Sequence, residues 1–288
     1  MVGVCFSGGG INCCCFIGTL IAIEREGIDI DTYAGTSGGA IVSTFAALGA
    51  NIETLRNMVS ESLEYFENFD ENSLKTKGCV LDFGPIIHDW FSKCIVKLGY
   101  KEDLTFEQWP SHCKRLIIHS FCVEDSEEIT WDTDNSPKQL EVRDALYASC
   151  AVPFVFHALV REGKHFLDGG VSSNIFVLEN SLVFTMTPKT IGKTALTYNE
   201  EDIITSCINL ILSVLKCNIK KSLREKSCRH LIIPVPWEPL QFLNIEIDPG
   251  RIEELIDAGV YHTTEFFDKK HPINYVPGST TISQYTIR

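Results

Sequence analysis

Two segments near the start of the chain place glycines between a short apolar run and an apolar stretch with helical spacing. The first is VCFSGGGINCCCFIG over residues 4–18, and the second is IDTYAGTSGGAIVSTFAALGA over residues 30–50. An apolar run that ends in glycine and continues as a helix is typical of a strand–loop–helix unit. Two such units in succession predict a parallel sheet with helices packed against it.

Strand and helix patterns alternate along the rest of the chain. The predicted helices span residues 51–69, 83–100, 139–152 and 251–267, and the predicted strands span residues 115–124, 127–133 and 229–235. No linker marks a second domain, and no segment repeats. The sequence therefore predicts one α/β domain over residues 1–270, followed by an irregular tail over residues 271–288.

The composition argues against several classes of protein. The 288 residues carry a formal net charge of −13, which argues against nucleic-acid binding. Three of the twelve cysteines are adjacent, at residues 13–15, and there is no signal peptide. Both features indicate reduced thiols and a cytoplasmic protein. The spacing of the cysteines and histidines matches no familiar metal site, so we expect no bound metal.

The pentapeptide GTSGG over residues 35–39 has the pattern G-x-S-x-G between a predicted strand and a predicted helix. A sharp turn there would expose the Ser37 hydroxyl above the sheet, and it needs small neighbours such as Gly35 and Gly39. The helix that follows would direct its N-terminal dipole at an oxyanion formed on the serine. An incidental serine in a glycine-rich turn would show the same letters, but the strand–turn–helix context favours a nucleophile.

The triplet Gly8, Gly9 and Gly10 offers main-chain N–H groups to a negative charge, either in a phosphate loop or in an oxyanion hole. The dinucleotide pattern requires a glycine where this chain has Cys13, and the lysine of a P-loop is missing. A nucleophilic serine needs donors placed before the reaction, and the N–H groups of Gly9 and Gly10 would supply them. We predict an oxyanion loop and rank a nucleotide-binding module below it.

A third glycine-flanked feature places Asp168 at the end of an apolar strand, directly before Gly169 and Gly170. An aspartate in this position would serve as the base that accepts the serine proton. An Asp-Gly pair is also a common structural turn. The three glycine-flanked features together favour the base.

Histidine is the rival base. His157 and His165 flank the strand that ends at Asp168, whereas His230 and His262 follow it in the order serine, acid, histidine that α/β-hydrolases use. Neither of the last two lies in a recognisable loop motif. A Ser-His-Asp triad therefore stays open as an alternative to a Ser-Asp pair.

In their order and context, these features resemble those of the patatin-like phospholipases, in which a glycine-rich loop, a G-x-S-x-G serine and a D-G-G aspartate form a Ser-Asp dyad. The segments LTFEQW, RLIIHSF, ALYASCAVPFVF and FLDGGVSSNIFV are also similar, and the resemblance covers roughly residues 2–270. It implies a three-layer α/β/α fold with a mostly parallel central sheet. It assigns Ser37 as nucleophile, Asp168 as base and the glycine triplet as oxyanion loop.

The same resemblance implies a lipid acyl hydrolase that cleaves carboxylic esters of phospholipids or lysophospholipids without metal or organic cofactor. Asn12 and Cys13 stand where the family usually has a basic residue and a glycine, and Phe176 replaces a usual proline. The altered loop at Asn12 and Cys13 motivates a second hypothesis, a catalytically silent lipid-binding protein, whereas Phe176 affects packing only. An acyltransferase would use the same site and forms a third hypothesis.

One apolar segment offers a membrane contact. IITSCINLILSVL, residues 203–215, is too short to span a bilayer. It is followed by basic residues, namely Lys216, Lys220, Lys221, Arg224 and Lys226. An interfacial element for peripheral contact with anionic lipid and a core helix with a basic end both fit this pattern, and we keep both.

Overall fold

The computed structural model describes residues 2–67, 84–153, 156–188, 227–235 and 249–269. The α-helices in these ranges are α1 Cys15–Arg25, α2 Gly38–Ala47, α3 Ile52–Glu67, α4 Gly84–Lys97, α5 Val142–Cys150 and α6 Pro249–Asp268. The strands are β1 Gly3–Phe6, β2 Thr32–Thr36, β3 Arg115–Cys122, β4 Glu127–Asp132, β5 Leu159–Arg161, β6 Lys164–Asp168, β7 Ser181–Pro188 and β8 Cys228–Val235.

All eight strands belong to one sheet. Its parallel part has the order β3-β2-β1-β7-β8. Strands β4 and β6 both pair antiparallel with β3, and β5 pairs antiparallel with β6. The mostly parallel α/β sheet predicted from the sequence is confirmed.

Strand β3 brings the ends of β2 and β6 together. Its first five residues pair with β2, and its last three pair with β6. Because β4 pairs with both stretches, β4 occupies one edge of β3 while β2 and β6 share the other edge. Thr36 pairs with His119, and Asp168 pairs with the next residue, Ser120. The last residues of β2 and β6 are therefore neighbours.

Successive residues of the central strands face opposite sides of the sheet. Phe6 and Phe184 pack into a large core to which all the described helices contribute. Cys5 and Val183 face a smaller cluster on the other side, where they pack with part of the segment 175–178. The described residues thus form the sheet and one helical layer of the predicted three-layer arrangement.

Some elements differ from the prediction. A 3-10 turn over Gly10–Cys14 precedes α1, so the α-helix begins later than its apolar spacing suggests. Strands β5 and β7 were not predicted, although β7 pairs directly with β1 in the middle of the sheet. The sequence of β7, SLVFTMTP, contains a short apolar run and then alternates threonine with apolar residues, which is typical of a strand.

Two predicted features lie outside the described residues, namely the tail over 271–288 and the apolar segment 203–215 with the basic residues that follow it. Both interpretations of that segment therefore stay open. Across the ranges that the structure describes, no helix combines the length and apolar character needed to cross a bilayer. The described cysteines are free thiols, and most of them are buried.

Candidate active site

Ser37 lies at the tip of a tight turn between β2 and α2. Its backbone has φ 54° and ψ −129°, a conformation that costs a residue with a side chain about 1–3 kcal/mol. Helix α2 begins at the next residue, Gly38, so its N-terminal dipole acts at the serine. A Cβ on Gly38 would lie 2.6 Å from the Gly10 carbonyl oxygen, and glycine therefore permits this close approach. The predicted sharp turn at Ser37 is present.

Two hydrogen bonds hold the backbone of this turn. The Ser37 N–H donates to Ser149 Oγ at 2.9 Å. Ser149 Oγ donates in turn to the carbonyl oxygen of His119 at 2.6 Å. Because Ser149 belongs to α5 and His119 to β3, the turn is fixed by a helix and a strand that lie far from it in the sequence.

Asp168 ends β6 and contacts the serine. Its carboxyl group lies close enough to the Ser37 side chain to interact with it, and its Oδ1 accepts the Gly170 N–H at 2.7 Å. The residue is 5% exposed. Burial raises the pKa of the Asp168 carboxyl to about 6, although the nearby Ser37 side chain and the Gly170 N–H lower it. Such a carboxylate accepts a proton more readily than an exposed aspartate does.

The glycine triplet lies beside the Ser37 turn, since a Cβ on Gly8 would be 3.0 Å from the Ser37 Cβ. The Gly8 N–H donates to the Asn174 carbonyl oxygen at 2.9 Å, and Asn174 Nδ2 donates to the Gly8 carbonyl oxygen at 3.0 Å. Among the described residues, no protein acceptor faces the N–H groups of Gly9 and Gly10. Gly8 therefore anchors the loop, and the next two glycines carry the N–H groups that a ligand can reach.

Two of the residues that depart from the family pattern pack against this site. Cys13 Sγ lies 3.5 Å from the Ser7 carbonyl oxygen, and burial raises the pKa of the thiol well above its usual value. The thiol is therefore protonated at neutral pH. The Phe176 ring lies 5.9 Å from the His119 ring, centroid to centroid. Both side chains fill space around the site.

The histidines weighed as rival bases lie in other surroundings. His165 Nδ1 lies 2.6 Å from a surface glutamate oxygen. His230 Nε2 lies 2.8 Å from a threonine hydroxyl on β7, and burial lowers the pKa of this histidine to about 4. His157 precedes β5, and His262 lies on α6. The Asp168 carboxyl, by contrast, lies beside the Ser37 side chain itself.

One histidine that adjoins the serine was missed in the sequence. His119 is fully buried, and its Nδ1 lies 3.2 Å from the hydroxyl of Thr36, the residue before Ser37. It also packs against Gly169, where a Cβ would overlap the imidazole. A histidine within the apolar strand RLIIHSF carries no local signal of this role, because its neighbours depend on the register of β3 with β2 and β6.

A polar cavity of about 510 Å³ lies between α4, α5 and β5. His88, Arg143 and Tyr147 line it, and His88 Nε2 lies 2.7 Å from an aspartate oxygen. Tyr147 precedes Ser149 by two positions on α5, so the cavity lies on the helix face away from the Ser37 turn. In the part of the chain that the structure describes, no group of three or more His, Cys, Asp or Glu side chains is arranged so that it could hold a metal ion.

Comparisons with known proteins identify the family and the fold of the chain. A family model for patatin-like phospholipase matches residues 4–180, more than half of the chain. The structure of VipD from Legionella pneumophila is similar over 93% of this chain and 67% of that one, with 13% identity and a TM-score of 0.54. No curated protein sequence gives a significant match.

A chain of the heterodimeric ExoU–SpcU complex, from the type III secretion system of Pseudomonas aeruginosa, is also similar. The match covers 93% of this chain and 51% of that one, with 16% identity and a TM-score of 0.51. This chain therefore spans about half the length of that protein. At such identities the structural similarity shows a shared fold and nothing more.

Proposed function

Because the chain belongs to the patatin-like phospholipase family, we propose that it is a lipid hydrolase that cleaves carboxylic esters through a Ser37–Asp168 dyad. The observation that carries the proposal is the approach of the Asp168 carboxyl group to the Ser37 side chain at the neighbouring ends of β6 and β2. A nucleophile and its base must lie within hydrogen-bond reach of each other. The substrate class is the carboxylic esters of phospholipids or lysophospholipids.

In the proposed first half-reaction, Ser37 Oγ bonds to the ester carbonyl carbon while Asp168 takes the hydroxyl proton. The carbonyl oxygen becomes an oxyanion, which the N–H groups of Gly9 and Gly10 and the N-terminus of α2 stabilise. The bond from the acyl carbon to the alcohol oxygen then breaks, and the leaving alcohol takes the proton from Asp168. The product is an acyl ester on Ser37.

In the second half-reaction, a water molecule replaces the alcohol. Asp168 accepts one water proton as the hydroxide oxygen bonds to the acyl carbon, and a second oxyanion forms in the same site. The bond to Ser37 Oγ breaks, and the serine regains its proton from Asp168. A free fatty acid leaves, and the enzyme returns to its starting state.

The raised pKa of the Asp168 carboxyl suits its role as the base in this cycle. With a pKa of about 6, the Asp168 carboxyl is largely ionised at neutral pH and still accepts a proton in the transition state. Its burial, 5% exposed, keeps bulk water from competing for the serine hydroxyl. A histidine is not required for either proton transfer.

The experiment compares the wild-type protein with Ser37→Ala and Asp168→Asn on a soluble 4-nitrophenyl ester and on vesicles of phosphatidylcholine with phosphatidylglycerol. We expect the wild type to release fatty acid from both, and each substitution to reduce the rate to near background. Ser43→Ala is the matched control, because Ser43 lies on helix α2 directly after the Ser37 turn, but its buried hydroxyl donates to the Ala34 carbonyl oxygen.

The alternatives give different results in the same assay. A catalytically silent lipid-binding protein would bind lipid but would release no fatty acid from either ester substrate. With an acyltransferase, the rate of ester cleavage would rise several-fold when an alcohol such as a lysophospholipid is added. The acyl group would then be recovered on that alcohol. Hydrolysis that persists in Ser37→Ala would overturn the proposed nucleophile.

A further inference from the structure

Asn12 is a buried amide at the base of the glycine loop. It is 1% exposed and belongs to the 3-10 turn that follows the triplet. Its N–H donates to the Gly9 carbonyl oxygen at 3.2 Å, and its Nδ2 reaches the same oxygen at 3.4 Å. Two donors from one residue thus converge on one carbonyl group.

The direction of that carbonyl group determines the direction of the next N–H. A trans peptide is planar, and its C=O and N–H point in opposite directions. The Gly9 C=O points at the buried Asn12, so the Gly10 N–H in the same peptide points away from Asn12. Gly10 itself is exposed, and its φ of 56° is one that glycine adopts without strain.

The amide has an unused acceptor that makes its orientation informative. Asn12 Oδ1 is buried and has no hydrogen-bond donor among the described residues. A buried acceptor without a partner destabilises the folded protein. Packing alone would therefore favour an apolar side chain at residue 12, and the amide contributes to the loop through its Nδ2 donor.

We propose that Asn12 is a positioning residue for ester hydrolysis, which fixes the Gly9 carbonyl group and thereby aims the Gly10 N–H at the oxyanion. This inference rests on the proposed function, because it assumes an oxyanion on the Ser37 adduct. The 3.4 Å contact between Asn12 Nδ2 and the Gly9 carbonyl oxygen is long for a hydrogen bond, as contacts in active sites often are without substrate.

The test uses Asn12→Leu, which has nearly the same shape but neither the donor nor the unpaired acceptor. We expect kcat on the soluble ester to fall about 10- to 100-fold, somewhat less than the 10²–10³ of deleting an oxyanion donor outright. KM should change less than twofold. Affinity for a trifluoromethyl ketone, whose adduct places an oxyanion in the same position, should fall by the same factor as kcat.

A purely structural role predicts a different outcome. Removal of an unpaired buried oxygen should leave the melting temperature of Asn12→Leu unchanged or higher, whereas a residue needed for folding would lower it. Thr44→Val is the matched control: it removes another buried polar atom without a partner, on α2, and should leave kcat and ketone affinity unchanged. Asn12→Asp, with acceptors only, should lose kcat as well.

If a folded variant of residue 12 kept the kcat and the ketone affinity of the wild type, the inference would be overturned. The proposed function fails separately and earlier, if the wild-type protein does not hydrolyse the ester or if Ser37→Ala still does. The two failures are therefore distinguishable in one set of assays.

Discussion

The Ser37 N–H donates a hydrogen bond of 2.9 Å to the hydroxyl of Ser149, a residue 112 positions later in the chain. This bond connects the strained turn of the candidate nucleophile to helix α5. Ser149 is fully buried, and its hydroxyl donates a hydrogen bond to the His119 carbonyl oxygen. The conformation of the turn thus depends on tertiary packing as well as on its glycines.

We expect Ser149→Ala to impair both stability and activity. The substitution leaves the Ser37 N–H without its partner, which costs about 1–3 kcal/mol. The looser turn should also lower kcat on a soluble ester about tenfold. Thermal unfolding and steady-state kinetics check this, with Ser43→Ala as control, since it removes an equally buried hydroxyl that has no bond to Ser37. Equal kcat in the two variants would contradict the link.

The backbone strain at Ser37 predicts that two inactive variants differ in stability. Both Ser37→Gly and Ser37→Ala should lose ester hydrolysis because the hydroxyl is gone. At φ 54° and ψ −129°, glycine avoids a strain that alanine retains. Glycine also loses more entropy on folding, which offsets part of this gain. We therefore expect Ser37→Gly to be more stable than Ser37→Ala by a net of about 1 kcal/mol and to have the higher melting temperature. A lower melting temperature for the glycine variant would argue against strain.

The pH dependence of kcat/KM reports the base. With its pKa raised by burial to about 6, Asp168 is protonated below that pH and cannot accept the serine proton. The rate should therefore fall about tenfold per pH unit below pH 6 and level off above it. A limb near pH 4, the range of an ordinary aspartate, would contradict the raised pKa.

A histidine base would give a limb at a similar pH, so temperature provides the control. A carboxyl group ionises with little heat, whereas an imidazolium takes up heat when it loses its proton. The midpoint of the limb should therefore stay fixed between 10 and 35 °C if Asp168 is the base. A midpoint that falls with warming would favour a histidine.

How much could be predicted depends on the range of the interactions. The strand–turn–helix unit at Ser37 is local, and its glycines and apolar runs are readable in the sequence. The meeting of Ser37 with Asp168 is not local, because it requires β6 to pair with β3 directly beyond β2. Resemblance to the family assigned Ser37 and Asp168 to one dyad, but it did not predict the strand pairing that brings them together. His119 and Ser149 were missed for the same reason, since no period or motif marks which buried polar group lies behind the turn.

The C-terminal limit of the domain is a prediction that helix packing can test. Helix α6 lies beyond the family match, which ends at residue 180. A Cβ on Gly259 would overlap the carbonyl oxygen of Cys15 on α1, so the helices touch through their backbones. The reciprocal contact brings Gly18 against the Ile256 carbonyl oxygen. Residues 249–269 would then belong to the same folding unit as the site.

Gly259→Ala should therefore destabilise the protein by about 1–3 kcal/mol. At an ordinary helix position the same substitution stabilises by about 1 kcal/mol, so the sign of the change is diagnostic. Asp257→Ala, at an exposed position of the same helix, should leave the melting temperature unchanged or raise it. A stabilised Gly259→Ala would place α6 outside the folding unit.

The central claim is that Ser37 is the nucleophile and Asp168 activates it, and covalent labelling tests it most directly. The wild-type protein is treated with an alkyl fluorophosphonate, and the adduct is located by intact mass and peptide mapping. We predict one adduct, on Ser37, that is absent in Ser37→Ala and forms at least a hundredfold more slowly in Asp168→Asn. An unlabelled Ser37 in a protein that still hydrolyses ester, or labelling of Asp168→Asn at the wild-type rate, would contradict the account.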